Sequence, residues 1–353
     1  MTPLLPWFER NARKLPWRAT KDPYRIWVSE IMLQQTRVEA VIRYYHRFLD
    51  RLPDVAALAA CPETELLKLW EGLGYYSRAR NMQKAAREIV TAYGGKFPKG
   101  FAQIRALPGI GEYTAGAIAS FAFDLPVPAV DGNVMRVAAR LAACREDILS
   151  PATHRAVTAA VAAAQPKKRA GDFNQAAIEL GALICLPNAA PKCGECPLAA
   201  VCKARAQGIE NELPVRKKAA PRKVEERTVL ILREGDRVAL CRRPSTGLLA
   251  GLYEPPCAAG RLQLSEVSDL LRGWGIEPLR VAPLEDSRHL FTHIEWRMVG
   301  FEVILPDGAS DILRKKTANG AENCPFSLVF APREEIDDRY ALPSAYRAYR
   351  PYM

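Results

Sequence analysis

The sequence predicts a multidomain protein: an all-α domain over residues 1–205, a basic linker over 206–226 and an α+β domain over 227–353. Helical periodicity runs through almost all of the first segment, whereas the last contains the short alternating runs typical of strands. Four cysteines crowd together at the end of the helical segment, which indicates a bound metal or cluster. A chain of 353 residues is long enough for two hydrophobic cores.

The charge balance indicates an anionic partner. The chain has 50 Lys+Arg against 39 Asp+Glu, a net charge of +11, which favours nucleic acid over a membrane surface. No apolar run has the length of a transmembrane helix, and charged residues occupy the N-terminal stretch where a signal peptide needs apolar ones. We therefore expect a cytoplasmic protein that does not bind membranes.

Capping residues mark several helix starts in the first segment. Asp22 before Pro23 and Ser150 before Pro151 each predict an N-cap followed by proline at the first helical position. Residues 36–39, Thr-Arg-Val-Glu, have the spacing of a capping box.

The stretch LPGIGEYTAG, residues 107–116, separates two helical segments. Pro108 ends the first helix, while Gly109 and Gly111 permit positive φ and close approach of another backbone. Such a turn exposes backbone N–H groups at a helix N-terminus, which suits a bound anion. A tight helix–helix turn without a ligand is the alternative.

Two carboxylates are candidates for chemistry. Glu30 shares a helix face with Ile26 and Leu33, an apolar setting that raises a carboxyl pKa. Asp131 precedes the helix that begins VDGNVMR. One ionised and one protonated carboxyl form the pair that cleavage of a glycosidic bond requires. The alternatives are a salt-bridged or half-exposed Glu30 and an Asp131 that serves only as an N-cap.

The cysteine group consists of Cys185, Cys193, Cys196 and Cys202, with gaps of seven, two and five residues. A reducing compartment does not maintain disulfides, so metal or cluster ligation explains the group better. Four thiolates suit either a tetrahedral zinc or a [4Fe–4S] cluster, and the single C-x-x-C pair favours the cluster.

After the linker the sequence period changes. RTVLILREGDRVALCRR predicts two strands joined by a turn, EWRMVGFEVIL predicts another strand, and SEVSDLLRGWG predicts a helix ending at glycine. The C-terminal segment is therefore α+β.

Five stretches occur in order up to the first of these cysteines: SEIMLQQT, EGLGYYSRARN, LPGIGEYTAG, VDGNVMR and FNQAAIELGALIC. Over nearly the whole chain the sequence resembles the MutY-type adenine DNA glycosylases of the helix–hairpin–helix superfamily, which includes endonuclease III. The resemblance implies an all-α helix–hairpin–helix domain with a [4Fe–4S] cluster loop. It also implies a monomeric, nucleoid-associated base-excision-repair enzyme that removes adenine mispaired with 8-oxoguanine or guanine in double-stranded DNA.

The resemblance also assigns the chemistry. Asp131 would stabilise the sugar cation with Asn133 as its orienting neighbour, and Glu30 would protonate the departing adenine at N7. Tyr113 stands where endonuclease III-like enzymes have a lysine that forms an imine. A phenol cannot do so, which predicts base removal without efficient strand cleavage.

The same resemblance also implies which residues bind DNA. For Tyr75 and Trp17 the alternative is that they are aromatic residues of the hydrophobic core. The implied binding residues are Trp17, Arg18 and Gln175 at the adenine pocket; Leu33 on the Glu30 helix; Gln35, Thr36, Leu73 and Tyr75 near 8-oxoguanine; and Gly109 and Gly111 at a DNA phosphate.

The C-terminal stretches STGLLAGLYEPP and RHLFTHIEW resemble the family's Nudix-like 8-oxoguanine recognition domain. Phe291, Thr292 and His293 occupy the loop where many relatives have Phe-Ser-His. SEVSDLLRGWG lacks the glutamate pairs that hold Mg²⁺ in Nudix hydrolases, so we expect binding without nucleotide hydrolysis.

Two other functions are open at this point. The first is a pyrimidine-damage glycosylase-lyase similar to endonuclease III, which Tyr113 and the additional domain disfavour. The second is a non-catalytic iron–sulfur DNA-binding protein, which the Glu30 and Asp131 pair disfavours.

Overall fold

The computed structural model describes residues 3–217, 221–318 and 328–353. The chain forms two compact units, of which the first comprises Met1–Cys61 and Arg80–Ala219 and the second comprises Pro62–Ala79 and Ala220–Met353. Residues 62–79 thus group with the C-terminal part of the chain.

The N-terminal part is helical, as predicted. Its helices are α1 (Leu4–Asn11), α2 (Pro23–Met32), α3 (Val38–Arg51), α4 (Val55–Ala60), α5 (Glu63–Leu69), α6 (Ser77–Tyr93), α7 (Phe101–Ala106), α8 (Glu112–Phe123), α9 (Gly132–Ala142), α10 (Pro151–Ala164), α11 (Ala170–Leu183) and α12 (Lys203–Gln207). In residues 3–217 no strand is present. None of the described helices is both long and apolar enough to cross a bilayer.

Two of the predicted helix starts are confirmed and one is wrong. Asp22 caps α2, accepting the Tyr24 N–H at 2.9 Å. Ser150 occupies the N-cap position before Pro151 at the start of α10, without a side-chain cap hydrogen bond. The predicted capping box at 36–39 does not form, because α3 is preceded by Arg37 without a side-chain cap. Thr36 instead belongs to the turn after α2, where its N–H donates to the Leu33 carbonyl at 3.4 Å.

Small residues let the helices of the first unit approach closely. A Cβ at Gly116 on α8 would collide with the Pro128 carbonyl, and one at Gly171 on α11 would collide with the Ser120 carbonyl. α8 contacts α2 and α11, and α11 contacts α9. This packing brings α2, α8, α9 and α11 together around one cavity.

The second unit contains a mixed sheet, which confirms the predicted α+β class. Its strands are β1 (Lys223–Glu234), β2 (Arg237–Arg242), β3 (Tyr253–Glu254), β4 (Cys257–Ala259), β5 (Arg280–Leu290), β6 (Ile294–Ile304) and β7 (Leu328–Pro332). The order is β3-β2-β1-β6-β5, with β4 on β1 and β7 on β2. β1 and β6 are parallel, and β1 begins within the segment predicted as linker.

Helices cover this sheet, and both of its faces are buried. They are α13 (Leu264–Gly273), α14 (Ala309–Ala318) and α15 (Arg333–Arg339), followed by a 3₁₀ segment, Ser344–Tyr352. Leu230 and Leu232 of β1 pack in the core that contains α13 and α14 residues. Val229 and Ile231 point to the opposite face, towards Tyr346 and the C-terminal segment, as the alternation of a strand requires.

Candidate active site

A cavity of about 790 Å³ lies in the first unit, a size typical of small-molecule sites. Residues from α2, α8, α9, α11 and the turn after α2 line it. Its lining includes Trp17, Arg18, Glu30, Leu33, Gln35, Thr36, Tyr113, Asp131, Asn133 and Gln175. The structure therefore brings together both carboxylates and the residues assigned to the adenine pocket.

Glu30 is buried in the wall of this cavity, with 5% of its surface exposed. The Tyr113 hydroxyl donates to Glu30 Oε2 at 2.7 Å, so the half-exposed alternative is wrong. Burial raises the pKa of Glu30 to about 7, and the charge of Asp131 adds to the rise, while the Tyr113 hydrogen bond and Arg18 oppose it. Near neutral pH this carboxyl is able to hold a proton and to release it.

Asp131 is both an N-cap and a wall residue of the cavity. Its Oδ1 accepts the Val134 N–H at 2.8 Å, at the start of α9. Its Oδ2 accepts Asn133 Nδ2–H at 2.7 Å. Burial raises the pKa of Asp131, and these hydrogen bonds act against that rise. Two N–H donors and the helix N-terminus favour its anion, so the N-cap interpretation is correct and compatible with a role in charge stabilisation.

Arg136, which the sequence analysis missed, fixes the Asn133 amide. Arg136 Nη2 donates to Asn133 Oδ1 at 2.9 Å and to the Gly181 carbonyl at 2.7 Å, while its Nε donates to the Cys185 carbonyl at 2.8 Å. The amide oxygen is thereby turned to Arg136 and the amide nitrogen to Asp131. The i, i+3 spacing of Asn133 and Arg136 on one helix was the available signal.

A second missed group, Glu179, holds Arg18 in the cavity wall. Glu179 is fully buried and accepts from Arg18 at 2.9 and 2.8 Å and from Arg13 at 2.9 and 2.7 Å. Burial alone would raise the pKa of Glu179, but the arginine hydrogen bonds outweigh it and lower the pKa to about 2. Both partners are far away in sequence, so no local pattern predicts this group.

The nature of Tyr113 limits the chemistry of the site. Burial, and then the charge of Glu30, raise the pKa of its phenol well above the ordinary value, so it remains a neutral donor. Within the described ranges no lysine lines the cavity. The site therefore offers acid–base groups but no amine nucleophile.

The glycine turn leads into α8. Gly109 has a φ of 76°, so its predicted positive φ is confirmed. A Cβ there would meet the Asn81 side chain rather than a backbone. Gly111 has a φ of −84°, and the expected positive φ is wrong because this residue is the extended N-cap of α8. A Cβ at Gly111 would meet no atom within 4 Å, which leaves space beside the unpaired N–H groups of the first helical turn.

The four cysteines of the predicted ligand group surround one small cavity beneath α9 and α11: Cys185, Cys193, Cys196 and Cys202. Apolar Leu180, Ile184 and Leu198 line the same cavity, and Arg140 Nη1 lies 3.2 Å from Cys185 Sγ. In the part of the chain that the structure describes, no three Cys, His, Asp or Glu side chains are close enough to hold one metal ion.

The remaining predicted residues outside the cavity lie in the second unit. Tyr75 and Thr292 approach with their hydroxyl oxygens 2.7 Å apart. Tyr75 is 49% exposed, whereas Leu73 is 5% exposed, so of these two residues Tyr75 has the side chain at the surface of its loop. The Phe291 ring contacts Trp296 edge-on, with centroids 4.8 Å apart, and His293 is exposed.

The alternative that an aromatic residue belongs to the core is wrong for Tyr75 and correct for Trp17. Tyr75 is not a core residue, and its φ of 46° places it in the left-handed region, as does the φ of 61° at Gln35. Non-glycine residues adopt this region rarely, and often at functional sites. Trp17 is 7% exposed and packs against Tyr45 with centroids 5.4 Å apart, so it is a core residue whose remaining surface faces the cavity.

Comparison with sequence families gives two matches. Residues 28–162 match the HhH-GPD superfamily of base excision DNA repair proteins, and residues 227–350 match the NUDIX domain. The chain is similar to the adenine DNA glycosylase of Mus musculus, with 35% identity over 94% of this chain and 77% of the relative. It is also 35% identical to the adenine DNA glycosylase of Buchnera aphidicola subsp. Baizongia pistaciae, over 82% of each.

Solved structures resemble part of the chain. A thermostable thymine-DNA glycosylase is 29% identical with a TM-score of 0.54, over 58% of this chain and 94% of that chain. A non-covalent endonuclease III–DNA complex is 25% identical with a TM-score of 0.50, over 58% of this chain and 94% of that chain.

Proposed function

The chain belongs to the adenine DNA glycosylases of the HhH-GPD superfamily, and from that premise we propose that it hydrolyses the N-glycosidic bond of adenine paired with 8-oxoguanine or guanine. It is a DNA N-glycosylase of base-excision repair. The two other functions, a pyrimidine-damage glycosylase-lyase and a non-catalytic DNA-binding protein, do not agree with this family membership.

The observation that carries the proposal is the carboxyl pair in one cavity. Glu30 has a pKa of about 7, so a fraction of the enzyme carries the proton that adenine needs to leave as a neutral base. In the proposed mechanism Glu30 donates this proton to N7 of a flipped adenine. Asp131, with its two N–H donors, faces the sugar and stabilises the positive charge that develops there.

Positioning of the adenine is assigned to the same cavity. Arg18, Trp17 and Gln175 would hold the base, and the buried Glu179 keeps the Arg18 guanidinium in place through paired hydrogen bonds. A fixed guanidinium costs little reorganisation when the base enters.

We propose that the enzyme removes the base without efficient strand cleavage. Imine formation requires an amine, and Tyr113 offers a phenol that donates to Glu30 instead. Tyr113 therefore acts on the proton donor rather than on the sugar.

Recognition of 8-oxoguanine is assigned to the second unit. The net charge of +11 attracts any duplex but cannot distinguish 8-oxoguanine from guanine. The lesion differs at its N7 hydrogen and O8, so discrimination needs polar groups at that edge. The hydroxyls of Tyr75 and Thr292, together with His293, are candidates, and the neighbouring Phe291 packs on Trp296.

Further contacts complete the proposed DNA complex. The N–H groups at Gly109, Gly111 and the start of α8 would bind a phosphate. Gln35, Thr36, Leu33 and Leu73 would support the bases around the flipped nucleotide. We propose that the enzyme acts as a monomer on double-stranded DNA.

The cysteine group supports a [4Fe–4S] cluster. Four sulfurs around one shared cavity with apolar walls, together with the single C-x-x-C pair, favour a cluster over a mononuclear zinc. Cys185, Cys193, Cys196 and Cys202 would hold it, and the cluster would cross-link the 185–202 loop. Arg136 links this cysteine group to the active-site cavity, because its guanidinium donates both to the Cys185 carbonyl and to the Asn133 side chain.

The experiment that tests the proposal is base release from duplexes carrying 8-oxoguanine opposite A, C or T, and guanine opposite A. We expect adenine release opposite 8-oxoguanine and guanine, with intact strands until alkali is added. Release of C or T, or strand scission without alkali, would contradict it.

A further inference from the structure

The loop of residues 71–75 has an unusual backbone. Gly72 and Gly74 have φ values of 95° and 68°, and Tyr75 follows with 46°. A tyrosine in the left-handed region is strained and persists only when its surroundings hold it there. The contacts of this loop within the second unit therefore matter for where the Tyr75 hydroxyl lies.

Local hydrogen bonds shape the loop from its flanks. Trp70 Nε1 donates to the Gly74 carbonyl at 3.0 Å. Arg78 Nη2 donates to the carbonyls of Leu73 and Gly74 at 2.9 and 3.1 Å, and its guanidinium lies 5.6 Å from the centre of the Tyr75 ring. These contacts close the loop on itself but do not fix it to the sheet that carries Thr292.

A second set of contacts ties the loop to the C-terminal segment. Glu71 pairs with Lys68 Nζ at 2.5 Å and with Arg350, whose guanidinium also pairs with Asp337. Lys68 Nζ donates in turn to the Tyr340 carbonyl at 3.2 Å. The Glu71 side chain is only 18% exposed, so its ion pairs are less screened than pairs on the open surface.

We propose that Glu71 and Arg350 are positioning residues for lesion discrimination, because their ion pair holds the 71–75 loop in the register that brings Tyr75 to Thr292. The inference rests on the proposed function, since it takes Tyr75 and Thr292 as groups that meet 8-oxoguanine. Neither Glu71 nor Arg350 touches the lesion in this account. They act through the loop and the sheet that present the two hydroxyls.

The physical reason lies in the weakness of the Tyr75–Thr292 contact. A hydrogen bond between two exposed hydroxyls competes with water, and it cannot by itself hold a strained loop. Arg350 binds two carboxylates with one planar fork, which fixes direction as well as distance. Loss of this fork would leave Tyr75 free to relax away from the left-handed region.

The test compares Arg350→Ala with the matched control Arg339→Ala. Both remove one positive charge from the same unit, but Arg339 pairs with Glu335 one helical turn earlier, on an exposed surface. Two quantities are measured for each full-length variant. They are the hydrogen–deuterium exchange of a peptide covering residues 70–79, and the ratio of single-turnover adenine release from 8-oxoguanine:A and G:A duplexes.

In Arg350→Ala we expect faster exchange across residues 71–75 and a roughly threefold to fivefold loss of preference for 8-oxoguanine:A, the range for a partly exposed ion pair. Arg350→Lys should recover part of the loss, because one ion pair can still form. Arg339→Ala should match the unmodified protein in both measurements.

The outcomes separate this inference from the proposed function. Unchanged exchange in Arg350→Ala would overturn the anchoring of the loop. Faster exchange with an unchanged preference would overturn the role in discrimination. If the unmodified protein itself shows no preference for 8-oxoguanine:A, the proposed lesion reading fails, while the exchange experiment still decides whether the ion pair anchors the loop.

Discussion

At the scale of single residues, the two carboxyl groups of the cavity differ in the hydrogen bonds that they accept. Asp131 accepts two N–H hydrogen bonds, from Val134 and Asn133, which favour its anion. Glu30 accepts one hydroxyl hydrogen from Tyr113 in a buried setting that favours its acid form. This difference supports the proposed roles, proton donation by Glu30 and charge stabilisation by Asp131.

The pKa of Glu30 leads to a pH prediction. In the proposed mechanism adenine release requires protonated Glu30, so the single-turnover rate should fall as the pH rises through about 7. The Tyr113 hydrogen bond lowers this pKa, so Tyr113→Phe should move the falling limb to higher pH. A pH series of release rates for both proteins measures this. A falling limb near the ordinary carboxyl pKa, or no shift in Tyr113→Phe, would argue against Glu30 as the acid.

A second prediction concerns an amine in the place of the phenol. Tyr113→Lys puts a nucleophile beside Glu30 in the cavity, so borohydride should trap a covalent complex with substrate DNA. The control is Tyr113→Phe, which should give no trapped complex. If the lysine variant binds DNA and is not trapped, residue 113 does not face the sugar.

Residue types in local context predicted part of this site. Glu30 was found because its helix face is apolar, and Asp131 because it precedes a helix. Glu179 was not, since a glutamate inside a helical pattern gives no sign of the two arginines that it meets more than a hundred and fifty positions earlier.

At the scale of elements, the contact of α9 with α11 sets the position of Asn133. A Cβ at Gly181 on α11 would lie 2.5 Å from the Asn133 Cβ, so only glycine permits this approach. The Gly181 carbonyl also accepts from Arg136 at 2.7 Å. The two helices therefore position the orienting neighbour of Asp131.

Gly181→Ala should lower the free energy of unfolding by about 1–3 kcal/mol, the usual cost of overpacking, and slow adenine release by displacing Asn133. Denaturant titration and single-turnover rates measure the two effects. Gly273→Ala is the matched control, because a Cβ there meets nothing within 4 Å. Equal stability of Gly181→Ala and the unmodified protein would show that α9 and α11 can separate without cost.

Sequence patterns predicted helix starts where a cap-type residue stands directly before a proline, as at Asp22 and Ser150. They failed at residues 36–39, because the turn after α2 takes up Thr36 before α3 begins. A capping box depends on where the preceding turn ends, which its own four residues do not specify.

At the scale of the whole molecule, the proposed catalytic and lesion-reading residues lie in different units. The cavity with Glu30 and Asp131 lies in the first unit, while Thr292 and His293 lie in the second. The order of an all-α and an α+β part was predictable from the change of sequence period. The grouping of residues 62–79 with the C-terminal part was not, because it depends on contacts such as Glu71 with Arg350 that no local pattern contains.

This division predicts a loss of selectivity without loss of chemistry. Thr292→Ala combined with His293→Ala should keep adenine release from G:A duplexes and lose on the order of 1–3 kcal/mol of discrimination in favour of 8-oxoguanine:A. Rates on the two duplexes, compared with the unmodified protein, give this quantity. If the double variant and the unmodified protein have equal selectivity, Thr36 and Leu73 become the candidates for recognising the lesion.

The most direct test of the central claim is single-turnover adenine release by Asp131→Asn on an 8-oxoguanine:A duplex, with duplex affinity measured in parallel. Asparagine still caps the first turn of α9, so the fold and the binding of DNA should be kept. The account predicts that release is abolished, because the amide carries no charge to stabilise the sugar cation. Release at a rate near that of the unmodified protein would contradict it and leave Asp131 as an N-cap alone.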